Sequence, residues 1–376
     1  MRTLNMLFTG GKKILCQSSR TWKQLTLTSS RSLSADGRHF KVGVLGIGRI
    51  GQMHLTNVLR NRKLNLTWVV DDQEQLWAPV RQKFILWNTP FYYTEKLPEL
   101  LQDQSLDAVL IFTSTNSHTK LACQALESGK AVFVEKPAGE TRDEILKCFE
   151  TAEKVDKPLL TGFNRRFDPT MSDVFRKVSN GSVGKLLHFR FTTRDSPKPS
   201  YDFLKTCDST GCNILADLCV HDIDQLVWLT QSERPEHVYV TTHAHDEIMA
   251  DFGEADAIGM MIKYKDGAIA SFDACRESVY GYDIRMEIFG SAGMVTASNP
   301  RETNTSVNGH EGGIESRLHL SFPQRFKHSF EAELEHFVEC LEGKTTPLVK
   351  KNESLLVSEI VEKGLESYKT KTPAYF

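Results

Sequence analysis

The sequence predicts an α/β chain in two parts: an N-terminal doubly wound parallel sheet, then an α+β part with a large, mainly antiparallel, open-faced sheet. Three observations carry this expectation. Between residues 41 and 134 short apolar runs alternate with helical patterns, the order that gives parallel strands with crossover helices. From Leu186 onward the strand-like runs are joined by tight turns such as Lys265-Asp266-Gly267, the signature of hairpins. The chain has 376 residues, more than the roughly 250–300 that one core holds. Its 40% hydrophobic and 25% charged residues fit a globular protein. With 46 Lys+Arg against 48 Asp+Glu it lacks the basic excess of a nucleic-acid-binding domain. No apolar run approaches the roughly 18 residues of a membrane span.

Residues 1–38 stand outside this fold. Arg2, Lys12, Lys13, Arg20, Lys23 and Arg31 precede the first acid, Asp36, in a Ser- and Thr-rich stretch without the apolar block of a secretory signal. That is the character of a mitochondrial transit peptide, which implies the matrix; a disordered basic tail on a cytoplasmic protein is the alternative.

Residues 39–160 form the first domain. Lys41–Leu45 reads as a buried strand, and Gly46-Ile47-Gly48-Arg49-Ile50-Gly51 follows it directly. This is the glycine fingerprint of a dinucleotide-binding Rossmann unit. The first glycine permits the turn, the second lets the backbone approach a pyrophosphate, and the third lets the helix pack on the strand. The next strand, Leu66–Val70, ends in Asp71, twenty residues after Gly51. An acid there accepts hydrogen bonds from ribose hydroxyls and repels a 2′-phosphate, which favours NAD. Arg49 in the loop keeps NADP as the alternative. Asp107–Phe112 and Ala131–Val134 are further strands, with a helix over Thr119–Ser128 between them. Their loops, Thr113–His118 and Glu135-Lys136-Pro137, lie on the carboxyl edge where such sheets bind ligands.

Residues 161–376 form the second domain. Leu186–Thr193, Val238–His245, Ala257–Tyr264, Ala268–Ala274 and Tyr282–Phe289 read as strands, and the sheet's open face is a candidate surface for a homodimer or homotetramer. Phe330, Leu334, Phe337, Val338 and Leu341 make one helical stripe, and Leu355, Leu356, Ile360 and Leu365 another. Within Asn213–Leu229, Asp217 and His221 are four apart, so on a helix they share a face. An Asp beside a His can fix its tautomer and raise its basicity, as a general base requires. On these residues alone a solvated surface pair, or a metal set with Asp222 or Asp224, fits as well. The eight cysteines include no Cys-x-x-Cys pair and read as structural; no metal is expected.

Taken together, Gly46–His54, Glu135-Lys136-Pro137, Gly162-Phe-Asn-Arg-Arg-Phe-Asp168 and Asp217-x-x-x-His221-Asp-Ile-Asp224 resemble the Gfo/Idh/MocA oxidoreductase family. Tyr280-Gly-Tyr-Asp-Ile284 and Glu287–Gly293 look most like its inositol 2-dehydrogenase branch. The resemblance implies an NAD-dependent enzyme that oxidises a secondary hydroxyl of a cyclic polyol or sugar. It places Lys136 between nicotinamide and substrate, and makes His221 the proton acceptor, held by Asp217. Thr113, Asn116, His118 and Glu135 would lie along the cofactor, and Asn164 or Arg165, Arg194 and Tyr282 along the substrate. Where the inositol enzymes tend to carry a His before the Arg matched by Arg194, this chain has Thr193. An NADP-dependent sugar or dihydrodiol dehydrogenase and a non-catalytic nucleotide sensor are the alternatives. The sensor would need no Lys136/Asp217/His221 set.

Overall fold

A computed structural model describes residues 39–209 and 214–376. The basic leader and Cys212 therefore lie outside the described residues.

Six strands, β1 (Phe40–Leu45), β2 (Leu64–Val70), β3 (Phe91–Tyr92), β4 (Ala108–Ile111), β5 (Ala131–Glu135) and β6 (Leu159–Gly162), form a parallel sheet in the order β3-β2-β1-β4-β5-β6. Every pairing in it is parallel. Alternate residues feed opposite faces. Val42, Val44, Leu110 and Phe133 enter one core, and Leu45, Val109, Ile111 and Val134 the other. A strand buried on both faces must be apolar throughout, which is why these runs do not alternate. The order reverses between β1 and β4, so the loops after these two strands flank the crevice where doubly wound sheets hold their ligands.

The second sheet joins β7 (Leu186–Arg194), β8 (His237–His243), β9 (Ala257–Lys263), β10 (Ile269–Cys275), β11 (Asp283–Gly290) and β12 (Gly293–Ala297), with β15 (Ala374–Tyr375) at one edge. Its order is β12-β11-β7-β10-β9-β8-β15. The sheet is mainly antiparallel, but β10 pairs with β7 in parallel. Phe189, Phe191, Val240, Met260, Phe272 and Ile284 face inward onto the helices Val220–Leu229 and Lys351–Thr370, while Tyr239, Met261 and Phe289 stay exposed on the outer face. A separate hairpin, β13 (Ser306–Gly309) with β14 (Gly312–Glu315), is exposed along its length. The helix Lys327–Leu341 carries the expected apolar stripe and returns it to the first sheet, where Leu334, Phe337 and Val338 pack with Val42 and Phe133. Residues His39–Phe376 thereby hold together as one compact unit.

Candidate active site

The glycine loop is built by exclusion. Gly46 has φ +88°, and a Cβ on it would lie 2.7 Å from the carbonyl of Phe112. A Cβ on Gly51 would lie 2.1 Å from the oxygen of Gly46. Neither position accepts another residue. A Cβ on Gly48 would meet nothing, so the space over the loop is open on that side. Gly48 caps the helix Arg49–Arg60 without a side-chain hydrogen bond, which leaves the first-turn N–H groups to an anion. Asp71 accepts from the N–H of Ile47 at 2.7 Å and from that of Gln73 at 2.8 Å. It braces the loop against β2, and each carboxylate oxygen keeps a lone pair for a ribose hydroxyl. These features fit a dinucleotide.

Across the crevice, Lys136 follows β5. Its ammonium donates to the main-chain oxygen of Asp217 at 3.1 Å and to Oδ1 of the same residue at 3.4 Å. Oδ2 of Asp217 accepts from Arg276 at 3.0 Å, and Arg276 also donates to Glu254 at 2.9 and 3.1 Å. Burial opposes the charge on Asp217, but Lys136 and Arg276 overcome it and hold the carboxyl below its usual range. The imidazole of His221 is pushed well below its ordinary value, first by burial and then by the charges of Lys136 and Arg165. The Lys136 ammonium thus lies near enough to a neutral His221 imidazole for its charge to act on it, an arrangement suited to taking a proton from a hydroxyl while steadying its oxygen.

Two family models match the chain: the oxidoreductase family, NAD-binding Rossmann fold, over residues 40–163, and the GFO/IDH/MocA C-terminal domain over residues 172–296. A myo-inositol 2-dehydrogenase of Thermotoga maritima is 32% identical over 329 residues, 87% of this chain and 96% of that protein. The chain belongs to the GFO/IDH/MocA oxidoreductase family. A second relative in sequence, the scyllo-inositol 2-dehydrogenase (NAD(+)) of Bacillus subtilis, is 29% identical over 339 residues, 89% of this chain and 95% of that protein. The crystal structure of a probable dehydrogenase from Thermotoga maritima superposes with a TM-score of 0.82 at 30% identity, covering 89% of this chain and 98% of that one. The chain is thus an inositol 2-dehydrogenase-like, NAD-binding oxidoreductase.

In this GFO/IDH/MocA chain the structure brings some of the residues read from the sequence together and separates others. Asp217 does not hold His221. Its carboxylate is spent on Lys136 and Arg276, and Nδ1 of His221 has no hydrogen-bond partner among the described residues. The i, i+4 expectation assumed an unbroken α-helix, whereas Ile214–Cys219 is a π turn that leads into Val220–Leu229. The basicity of His221 is accordingly lowered, not raised. Asp222 and Asp224 are held by guanidinium groups. Arg165 donates to Asp222 at 2.5 Å, and Arg166 grips Asp224 through two nitrogens at 2.7 and 2.9 Å. Among the described residues no cluster of three His, Cys, Asp or Glu side chains could hold a metal ion.

Arg165 also donates to Thr193 at 3.3 Å, and its charge acts on the buried phenol of Tyr282, so Arg165, Thr193 and Tyr282 form one wall. Asn164 is buried beside it, and its main-chain oxygen accepts from Ser329. Arg194 is a correction. Alternation along β7 turns Thr193 inward and Arg194 outward, where it binds Asp273 and the hydroxyl of Tyr280. Replacing Arg194 with Ala is expected to change KM for any polyol less than about twofold, since deleting a surface pair removes about 1 kcal/mol or less, away from the cleft; steady-state kinetics checks this. His118 is a second correction. It is buried, and its ring nitrogens lie 2.7 Å from the oxygen of Pro137 and 3.1 Å from that of Thr113, so it ties two loops together and has no ring nitrogen left over for a ligand. Thr113 and Asn116 sit at the start of the helix Thr115–Glu127, with Asn116 exposed. Arg49 lies with its guanidinium 4.6 Å above the ring of Phe322.

Three site residues went unread in the sequence: Arg276, Glu254 and Asp195. Arg276 and Asp195 directly follow β10 and β7 and are joined by the bond from the Asp195 N–H to the oxygen of Cys275, 2.9 Å. Their signal was positional, a charged residue just past the end of a strand. Burial, aided by the Asp217 charge, pushes the carboxyl of Asp195 up to about 6, against Arg276 and Arg49.

Proposed function

We propose that this oxidoreductase oxidises a secondary hydroxyl of a cyclic polyol or sugar, with His221 as proton acceptor and Lys136 at the reacting oxygen. The observation that carries the reading is the meeting of Lys136, from the first sheet, with the Asp217–His221 segment of the second. NAD, when bound over the glycine loop, supplies the hydride acceptor. The chain's own residues do the rest. His221, kept neutral by burial, takes the hydroxyl proton. Lys136, positioned by Asp217, stabilises negative charge gathering on that oxygen, a type of contact worth about 10²–10³-fold in kcat. The wall of Arg165, Thr193 and Tyr282 offers donors and acceptors to neighbouring hydroxyls.

The test is the appearance of reduced nicotinamide absorbance with NAD or NADP and a panel of inositols and sugars. Turnover with an inositol and NAD supports the reading; tight NAD binding without turnover by any member overturns it in favour of a sensor. Lys136→Met is expected to lower kcat about 10²–10³-fold while the Kd for NAD, measured by fluorescence quenching, changes less than about threefold.

Two further readings belong to this proposal. The exposed Tyr239, Met261 and Phe289 on the outer sheet face suit a second copy of the chain, giving a homodimer or homotetramer. Light scattering that returns one chain mass would reject it. The basic leader, with no acid before Asp36, suits import into the mitochondrial matrix. A protein recovered from cells with its mature N-terminus still at Met1 would argue against cleavage there.

A further inference from the structure

Behind the Glu135-Lys136 turn lies a buried carboxyl group that the proposed chemistry leaves unused. Glu333, on the helix Lys327–Leu341, is fully buried, and no donor among the described residues reaches either of its carboxyl oxygens. It faces Glu135 across Gly162. A Cβ placed on that glycine would lie 3.2 Å from Oε1 of Glu333 and 3.3 Å from the carboxyl carbon of Glu135. Glu135 is well supplied with donors. Its Oε1 lies 2.7 Å from Nε2 of His54, and its Oε2 accepts from the main-chain N–H of Lys136 at 3.1 Å. The surroundings of His54 are aromatic: it stacks on Phe112 at 4.1 Å and meets the edges of Phe133 and Phe330 at 5.3 and 5.4 Å.

A carboxylate without donors, fully buried and opposite a second carboxylate, cannot stay ionised. Glu135 has an imidazole and an amide to carry its charge; Glu333 has neither. We propose that Glu333 is a positioning residue, a neutral carboxylic acid that shares its proton with Glu135 and so fixes the carboxylate that holds the Lys136 main chain. Burial and then the Glu135 charge push Glu333 well above the usual carboxyl range, in keeping with this assignment. The group acts on the reaction only through Lys136, so its kinetic consequence rests on the function proposed above. Its protonation does not.

The experiment has two arms on the full chain. Infrared spectra at pH 8 in heavy water should show the carbonyl stretch of a protonated carboxylic acid that Glu333→Gln removes; a spectrum unchanged by that substitution overturns the proposal. In the kinetic arm, Glu333→Gln keeps an N–H donor and should hold kcat within about twofold of the parent. Glu333→Leu keeps the volume without the donor and should lower kcat about tenfold, with the Kd for NAD unchanged and Tm not lowered. A lower Tm with kcat intact would make Glu333 merely structural and overturn the proposal. Should Glu333→Leu fail to fold, the infrared band and the Glu333→Gln rate still decide. The infrared arm needs no substrate, so absence of polyol turnover would sink the functional reading without touching it.

Discussion

Replacing His221 with Asn is expected to lower kcat by about 10²–10⁴-fold, the range that a positioned general base contributes. The reason is chemical. An alcohol is a very weak acid, and its proton must leave as the hydride leaves. In the proposed reaction His221 takes it as a neutral group: burial and the neighbouring Lys136 and Arg165 charges hold its imidazole well below the ordinary histidine value. The base is thus already unprotonated at neutral pH, and kcat/KM should stay on its plateau as the pH falls through 6.5. A limb centred at or above 6.5 that disappears in His221→Asn would contradict the depressed basicity. Asp195 supplies the control. Its carboxyl is pushed up to about 6, so an inflection there that vanishes in Asp195→Asn belongs to Asp195. Stability carries the same sign. With a folded value below the unfolded one, the unfolded chain binds more protons under pH 6.5, and His221 costs stability progressively as the pH falls through that window. His221→Asn should flatten this part of the Tm–pH curve.

How much of this was legible in the sequence follows from what is local. β1, β4 and β5 were readable because strands buried on both faces are continuous apolar runs, and the glycine loop because steric exclusion at Gly46 and Gly51 leaves one residue type. Five strands of the second sheet, β7 to β11, were found within about two residues because one open face makes them alternate, whereas β12 and β15 were not read. The short β3 and β6 were missed, since a few residues carry no period. The parallel pairing of β10 with β7 was hidden as well. Hairpin turns specify neighbours in sequence, and β10 takes β7 as its second neighbour from far away. In the site, Lys136 and His221 were legible from their motifs, but the partner of Asp217 was not. Helical arithmetic assigned Asp217 to His221, whereas a π turn shifted the phase and a guanidinium 59 residues away in sequence took the carboxylate.

That guanidinium gives the second large effect. Arg276→Met is expected to destabilise the fold by about 3–5 kcal/mol, the cost of breaking a buried ion pair by removing one partner. Arg276 is fully buried and serves two acids, Asp217 at 3.0 Å and Glu254 at 2.9 Å. Methionine fills much of its volume, so the loss is electrostatic: Glu254, itself buried, is left without its cation, and Asp217 keeps only Lys136. Burial already raises Glu254 against the pull of Arg276; without Arg276 it must rise further, and the depressed Asp217 must rise as well. The sign with pH follows. The native Asp217 is depressed, so it stabilises the parent above the unfolded carboxyl value and ceases to do so as the pH falls through its folded value. In the variant the raised acids favour the folded state at low pH and lose that advantage as the pH rises. The gap between parent and variant should therefore be widest near pH 7 and narrow toward pH 4, read from urea midpoints at each pH. Adding Glu254→Gln to Arg276→Met should recover part of the loss, because an amide tolerates burial without a cation. A deficit that stays constant from pH 7 to 4 and is not relieved by Glu254→Gln would show that Arg276 acts by packing alone, and that Lys136 by itself holds the Asp217 carboxylate in its charged form.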